Sequence, residues 1–164
     1  MIAPINRTLL RTIFAKLAQA KVKYCMGSKV SPLTADSNDV DPEKGLDCSG
    51  LVQFLTARAS DQAIILPEGS SGQIEWCLAH DLTRRDYASF AGRIDNVLRL
   101  NFISAERSQS ARGDQSARHA FFTFNGMTME SHGRDAHGNG CDSRVWDTPV
   151  LMLADYCFEF PSHP

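Results

Sequence analysis

Cys48 is the residue of this sequence best suited to act as a nucleophile. It stands in the stretch GLDCSGLVQF, just before an apolar run that predicts a helix from Ser49 to Ala59. The unpaired amides and the dipole at a helix N-terminus stabilise a thiolate, and the amide of Cys48 could itself donate to an oxyanion. The small neighbours Ser49 and Gly50 would let a substrate approach closely. A buried core thiol and a metal ligand are the alternatives for this cysteine.

A cysteine nucleophile needs a base from another element, and His119 is the candidate. It opens the segment HAFFTFNGMTMESHG, in which two alternating runs flank Asn125-Gly126. That dipeptide is the strongest short signal for a β-hairpin with a two-residue turn. The turn predicts that Phe124 pairs with Met127, so that His119 stands at the start of the first strand.

The same register predicts which side chains lie beside the histidine. Phe121 should pair with Glu130, and His119 should pair with His132. Because side chains alternate between the faces of a strand, His119, Glu130 and His132 should all project from one side. Either Glu130 or His132 could then hold the imidazole in the tautomer that accepts a proton.

The rest of the chain predicts helices first and strands later. Asn6 can cap a first helix over about residues 7–20, and a third, short helix should begin near Ser71. The stretches VLRLNFISA and SRVWDTPVLMLADYCFEF predict further strands. This order is typical of an α+β fold in which N-terminal helices pack on an antiparallel β-sheet. The 164 residues, of which 43 % are hydrophobic, predict one domain spanning residues 1–164.

Composition and charge argue against several classes of partner. The formal net charge of −2 gives no support for binding to nucleic acid by bulk electrostatics. The five cysteines never form a CxxC pair, so we expect neither a structural zinc site nor a complete disulfide framework. Arg7, Arg11 and Lys16 interrupt the apolar runs of the N-terminal segment, so we expect no secretory signal and no membrane span. A chain made in the cytoplasm, without a metal or other cofactor, is the expectation.

The stretch LDCSGLVQF resembles the nucleophile motif of the NlpC-type (NlpC/p-sixty) cell-wall endopeptidases, which are papain-like cysteine peptidases. Asp47, Cys48, Ser49 and Gly50, with the hydrophobic pair that follows, match the motif residue by residue. Three weaker segments agree with the family in order, namely YCMGS (24–28), LPEGSSGQ (66–73) and RHAFFTFNGMTMES (118–131). The resemblance therefore extends over most of the chain.

The resemblance implies a papain-like fold and a cysteine peptidase or amidase that hydrolyses peptidoglycan stem or cross-link peptides through an acyl-enzyme. It implies that Cys48 is the nucleophile, that His119 is the base and that Tyr24 lies near the oxyanion. It implies no cofactor. For the third catalytic position, alignment of TMES with the family's strand gives Glu130, whereas direct cross-strand pairing favours His132. We prefer Glu130.

Some features depart from the family pattern. The loop before Cys48 is longer than usual, Asn101 stands where a glycine-aspartate pair is common, and the segment ERSQSARGDQSAR precedes His119 as an insert. No cell-wall targeting module is recognisable. This suits a phage tail-associated hydrolase, or an effector delivered by a secretion machine, that acts in the periplasm or cell wall.

Other functions fit the same residues. A papain-like acyltransferase or a protein glutamine deamidase would use the same pair of Cys48 and His119, because all these reactions share the acyl-enzyme. In a non-catalytic binding module, Cys48 would only fill space in the core.

Overall fold

The protein has an α+β fold with an antiparallel sheet, as the sequence predicts. The computed structural model describes residues 2–31, 38–113, 118–135, 138–144, 146 and 149–164. The helices in these ranges are α1 (Arg7–Gln19), α2 (Cys48–Ala59), α3 (Ser70–Ala79), α4 (Tyr87–Phe90) and α5 (Ala105–Arg112), with a 3₁₀ turn at Leu151–Leu153. The strands are β1 (Ile5–Asn6), β2 (Thr83–Arg85), β3 (Leu98–Ile103), β4 (His119–Phe124), β5 (Met127–Asp135), β6 (Gly138–Asp142), β7 (Tyr156–Phe160) and β8 (Ser162–His163). Within these described ranges, no helix is long and apolar enough to cross a membrane.

Six of the strands form one sheet in the order β2, β7, β3, β4, β5, β6. Neighbouring strands in this sheet run antiparallel. The hairpin of β4 and β5 has the predicted register, with Phe124 opposite Met127 and Phe122 opposite Met129. The sequence-based register of the hairpin is therefore confirmed at its turn, and β4 carries His119 as its first residue.

Helix α2, which begins at Cys48, is the centre of the fold. Every residue of this helix except Arg58 is buried. Its sequence, CSGLVQFLTARA, has no continuous polar face, so burial from several sides is favourable. The helix packs against α1, α3 and the strands β4 and β5. Cys48 therefore lies at the junction between the helices and the hairpin that carries His119.

Apolar side chains cover both faces of the sheet. In β4, Ala120 and Phe122 belong to the main core around α1 and α2. Phe121 belongs to a second, smaller cluster on the opposite face, because side chains alternate along a strand. The buried members of this second cluster are Tyr87, Phe90, Phe121, Leu151 and Cys157. The cluster supports the face of the hairpin from which His119 projects.

Some elements were not visible in the sequence pattern. The segment ERSQSARGDQSAR, interpreted as an insert, contributes most of helix α5. Ser104 caps this helix because its hydroxyl accepts a hydrogen bond from the amide of Arg107 at 3.0 Å. Residues 114–117 of the insert lie outside the described part of the chain. The strand β2 and the helix α4 contain too few residues for hydrophobic periodicity to indicate them.

The turn between β4 and β5 provides a test of the hairpin register. Asn125 (φ 52°) and Gly126 (φ 79°) both adopt the left-handed conformation of a type I′ turn, which alanine tolerates poorly. We expect Gly126→Ala to lower the free energy of unfolding in urea by about 1–2 kcal/mol. Asn125→Asp is the control and should change this free energy much less, because aspartate tolerates the same conformation. An unchanged stability in Gly126→Ala would contradict the turn assignment.

Candidate active site

Asp47 positions Cys48 by capping the helix that begins with it. Oδ1 of Asp47 accepts hydrogen bonds from the amide of Gly50 at 2.6 Å and from the hydroxyl of Ser49 at 2.9 Å. The backbone of Asp47 is extended, with φ −77° and ψ 173°, as is typical of an N-cap residue. Cys48 is therefore the first residue of α2, where the positive end of the helix dipole favours a thiolate.

The second oxygen of the same carboxylate holds the loop that carries Tyr24. Oδ2 of Asp47 accepts hydrogen bonds from the amide of Gly27 at 3.0 Å and from the ammonium group of Lys29 at 3.1 Å. The amide of Asp47 in turn donates to the carbonyl of Ser28 at 2.9 Å. One buried aspartate thus joins the start of α2 to this loop and keeps Tyr24 at the edge of the cleft.

A buried glutamine holds another wall of the cleft against α2. Nε2 of Gln73, in the first turn of α3, donates to the carbonyl of Ser49 at 2.9 Å and to that of Pro67 at 3.1 Å. Gln73 itself is fully buried. The segment LPEGSSGQ therefore joins α2 to α3, and it places the turn before α3 along the cleft.

His119 lies beside both a carboxylate and Cys48. Its Nε2 lies 2.7 Å from Oε2 of Glu130, and the nearby Cys48 helps to raise the pKa of the ring. Because Nε2 faces the carboxylate, Nδ1 is the ring nitrogen left for the thiol. The ring of Phe121 stacks on the imidazole, with 5.4 Å between centroids and 22° between planes. His119 is only 7 % exposed, so little water competes for its hydrogen bonds.

The carboxylate of Glu130 is fully buried and accepts hydrogen bonds from four donor groups. Oε2 accepts from Nε2 of His119 at 2.7 Å and from Nη2 of Arg144 at 2.5 Å. Oε1 accepts from Nε of Arg144 at 2.9 Å and from the hydroxyl of Thr128 at 2.8 Å. A carboxylate offers about four lone-pair positions, so this one is saturated. Saturation by donors favours the ionised form over the protonated form.

The electrostatics of the site favour a protonated imidazole. Burial of the ring opposes its charge, but hydrogen bonds with Cys48 and Glu130 outweigh burial and raise the pKa of His119 to about 9. Burial likewise opposes ionisation of Glu130, but its hydrogen bonds with Arg144 and His119 lower the pKa of Glu130 to about 2. At neutral pH, His119 and Glu130 are therefore a charged pair.

The structure distinguishes between the two sequence-based alternatives for the partner of His119. Glu130 is the residue whose side chain lies at Nε2 of the imidazole. His132 is also buried, and its Nδ1 lies 2.9 Å from the carbonyl of Gly133. Ser49, expected to help admit the substrate, lines the cleft, but its hydroxyl is used in the cap with Asp47.

Cys48 lies in the wall of a cleft of about 520 Å³. The other walls come from residues 24–29, from residues 68–72 and from Arg118. Lys29 and Arg118 bring positive charge to this cleft, and Asp47 and Glu68 bring negative charge. Cys48 therefore stands where a bound peptide could reach it, although its side chain is only 8 % exposed.

The other buried cysteines have thiols that ionise less readily than an ordinary thiol does. All five cysteines are free, and burial raises the pKa of Cys77, Cys141 and Cys157 to about 12. These three thiols are therefore poor nucleophiles. Across the described parts of the chain, no three histidine, cysteine, aspartate or glutamate side chains are grouped as a metal site.

Two members of the site, Arg144 and Thr128, were not predicted from the sequence. Arg144 lies just beyond β6, 14 residues after Glu130, and no local pattern marks it as a partner. The only signal was indirect, since a buried carboxylate needs a cation or several donors. Thr128 precedes Glu130 by two residues and so lies on the same face of β5.

Comparisons with known proteins gave no match for this chain. No protein-family model matches the chain, and neither the curated proteins nor the solved structures give a significant match.

The contacts of His119 predict an unusual titration. Its pKa rises from an ordinary value of 6.5 to about 9, so its contribution to stability is complete below pH 6.5 and is lost as the pH rises through about 9. We expect the imidazole protons in NMR spectra to titrate near pH 9 in the wild type. In Cys48→Ala and in Glu130→Gln the midpoint should fall, because each change removes an interaction that favours the charged ring. His119→Gln identifies the signal, and a midpoint near 6.5 in the wild type would be the contrary result.

Proposed function

We propose that this chain is a papain-like cysteine amidase that hydrolyses peptidoglycan stem or cross-link peptides. The observation that carries the proposal is the pair of His119 and Glu130, joined at 2.7 Å, beside Cys48 at the start of α2. A thiol at a helix N-terminus, a histidine base and a carboxylate behind it are the three groups that a cysteine peptidase uses. The resemblance of LDCSGLVQF to the nucleophile motif of NlpC-type endopeptidases supports the substrate class, and the α+β architecture is compatible with a papain-like fold.

The first step is activation of the nucleophile. Before substrate binds, the thiol proton of Cys48 has already passed to Nδ1 of His119, and the ionised Glu130 stabilises this imidazolium through Nε2. The dipole of α2 stabilises the thiolate. Glu130 also selects the tautomer, because Nε2 must carry a proton in order to donate to a carboxylate, which leaves Nδ1 as the base.

The thiolate then attacks the peptide carbonyl, forming a carbon–sulfur bond while the carbonyl oxygen takes up negative charge. Two groups suit the role of donor to this oxyanion, namely the backbone amide of Cys48 and the phenol of Tyr24. Burial and the negative charges of Cys48 and Asp47 raise the pKa of Tyr24 to about 12, so the phenol keeps its proton at neutral pH. His119 next protonates the leaving amine, and the carbon–nitrogen bond breaks to give an acyl-enzyme.

Water completes the cycle. The neutral His119 takes a proton from a water molecule, whose oxygen attacks the acyl carbon. The carbon–sulfur bond then breaks, and the thiolate of Cys48 leaves. The product departs as a carboxylic acid that ionises in water, and the thiolate and imidazolium are restored for the next substrate.

The cleft is large enough for a peptide and contains charged groups of both signs. Its volume of about 520 Å³ can hold several peptide units at the thiol. Arg118 precedes His119 directly, and Lys29 donates a hydrogen bond to Asp47, the neighbour of Cys48 in sequence. Peptidoglycan stem peptides carry carboxylates, which Arg118 would attract, whereas Lys29 is already paired with Asp47.

Hydrolysis should depend on Cys48. Incubation of the protein with peptidoglycan fragments should release new amines together with matching carboxylates, measured by amine labelling and mass spectrometry. Cys48→Ala should lower the rate by about 10⁴-fold or more, because the nucleophile is lost. Cys77→Ala removes a buried thiol outside the cleft and should keep most of the activity.

The products also separate this reaction from its alternatives. A new amide in place of the carboxylate would indicate acyl transfer, and ammonia released from a protein glutamine would indicate deamidation. Absence of cleavage by the wild type across stem and cross-link peptides would contradict the proposed hydrolysis.

Two variants test which residue is the third catalytic residue, the one that stabilises the imidazolium of His119. Glu130→Gln should lower kcat/KM by about 10²- to 10⁴-fold, because a neutral amide cannot stabilise the imidazolium as a carboxylate does. His132→Gln should lower it much less, since His132 lies at the carbonyl of Gly133. Steady-state rates on the same peptide measure both effects, and the reverse order would give the third position to His132.

A further inference from the structure

Two parallel hydrogen bonds join Arg144 to Glu130. Nε of Arg144 donates to Oε1 at 2.9 Å and Nη2 donates to Oε2 at 2.5 Å, which is the planar fork that arginine offers to a carboxylate. The exposed fractions of the two side chains are 4 % and 0 %. We propose that Arg144 is a positioning residue, which keeps Glu130 ionised and directed at His119; this rests on the proposed function, in which His119 is the base for Cys48.

The charges of the buried site balance only when Arg144 is included. The imidazolium of His119 pairs with the carboxylate of Glu130, and the thiolate required by the proposed function would add a second negative charge. Arg144 supplies the matching positive charge. A buried carboxylate without this cation would more readily take up a proton. A protonated Glu130 could no longer stabilise the imidazolium, so Arg144 acts on the nucleophile through two intervening side chains.

The backbone around Arg144 is anchored to the rest of the fold. The amide of Arg144 donates to the hydroxyl of Thr128 at 2.6 Å. Two residues further on, Trp146 packs on Gly92 so closely that a Cβ on this glycine would lie 2.3 Å from the indole nitrogen. The hydroxyl of Tyr87 donates to the carbonyl of Trp146 at 3.1 Å. The backbone of Arg144 is thus held at Thr128 of β5, as a positioning role requires.

The groups that face the carboxylate of Glu130 define what can change its charge. From β4 it faces His119, and from the segment after β6 it faces Arg144. On its own strand, Thr128 is neutral, and His132 lies at the carbonyl of the next residue. Of these, the arginine is the cation that stays charged at every pH at which the enzyme could work.

The pH dependence of Cys48 alkylation tests this role without any need for turnover. Iodoacetamide reacts with the thiolate, so the rate of modification of the Cys48 peptide, followed by mass spectrometry from about pH 4 to about pH 9, reports the thiolate population. In Arg144→Met, Glu130 should become protonated at a higher pH than in the wild type. The acid limb of the alkylation profile should therefore shift to higher pH, by about 1–3 pH units. Arg144→Lys keeps the charge and should restore most of the wild-type limb.

Matched variants separate positioning from a general structural effect. Arg99→Met removes another buried arginine, which makes a similar fork with Asp95 rather than with Glu130, and it should leave the profile unchanged. In a Glu130→Gln background no carboxylate remains to be protected, so adding Arg144→Met should cause no further shift.

A wild-type profile in Arg144→Met, with only a uniform fall in rate, would overturn the proposed role. If this variant does not fold, the double variant Glu130→Gln/Arg144→Met removes both charges together and should fold. The double variant should then match Glu130→Gln, and Arg144→Lys should match the wild type. Any other pattern would overturn the role of Arg144, whereas a failure to cleave peptidoglycan would affect only the proposed function.

Discussion

The buried carboxylate of Glu130 is the constraint on which the candidate site depends. A charged group that is removed from water must find equivalent hydrogen bonds in the protein. His119, Arg144 and Thr128 supply them, and they fill both oxygens. Loss of any one donor would leave part of a buried charge uncompensated. Through these hydrogen bonds the carboxylate connects β4, β5 and the segment after β6, and it fixes the orientation of the imidazole of His119.

The rest of the fold positions the thiol of Cys48 beside His119 and Glu130. Helix α2 is buried along nearly its whole length, and Asp47 fixes its first turn, so the position of Cys48 is well determined. On the hairpin, Phe121 anchors the second apolar cluster and stacks on His119. Thiol and imidazole are thus carried by a helix and a strand, which hold a reacting geometry more accurately than loops do.

Features of the fold and site that depend on neighbouring residues in the sequence could be predicted from it, whereas tertiary contacts could not. The dipeptide at Asn125 set the hairpin register, because turns are read from neighbouring residues, and the apolar run from Ser49 placed the start of α2 within one residue. Strand alternation put Glu130 and His132 on one side but could not choose between them. The choice between Glu130 and His132 depends on Arg144. The contact of Arg144 with Glu130 is tertiary, so no local sequence pattern indicates it. Helix α5 was missed for a related reason, since its polar sequence AERSQSAR shows no apolar periodicity.

Detection of a covalent intermediate on Cys48 is the most direct test of the proposed chemistry. Protein mixed with a peptidoglycan stem peptide and quenched in acid should show, in its intact mass, a transient adduct equal to the acyl half of the peptide. Digestion and sequencing should place that adduct on Cys48. Cleavage of the peptide with no adduct under any quenching condition, or an adduct on another residue, would contradict the assignment of Cys48 as the nucleophile.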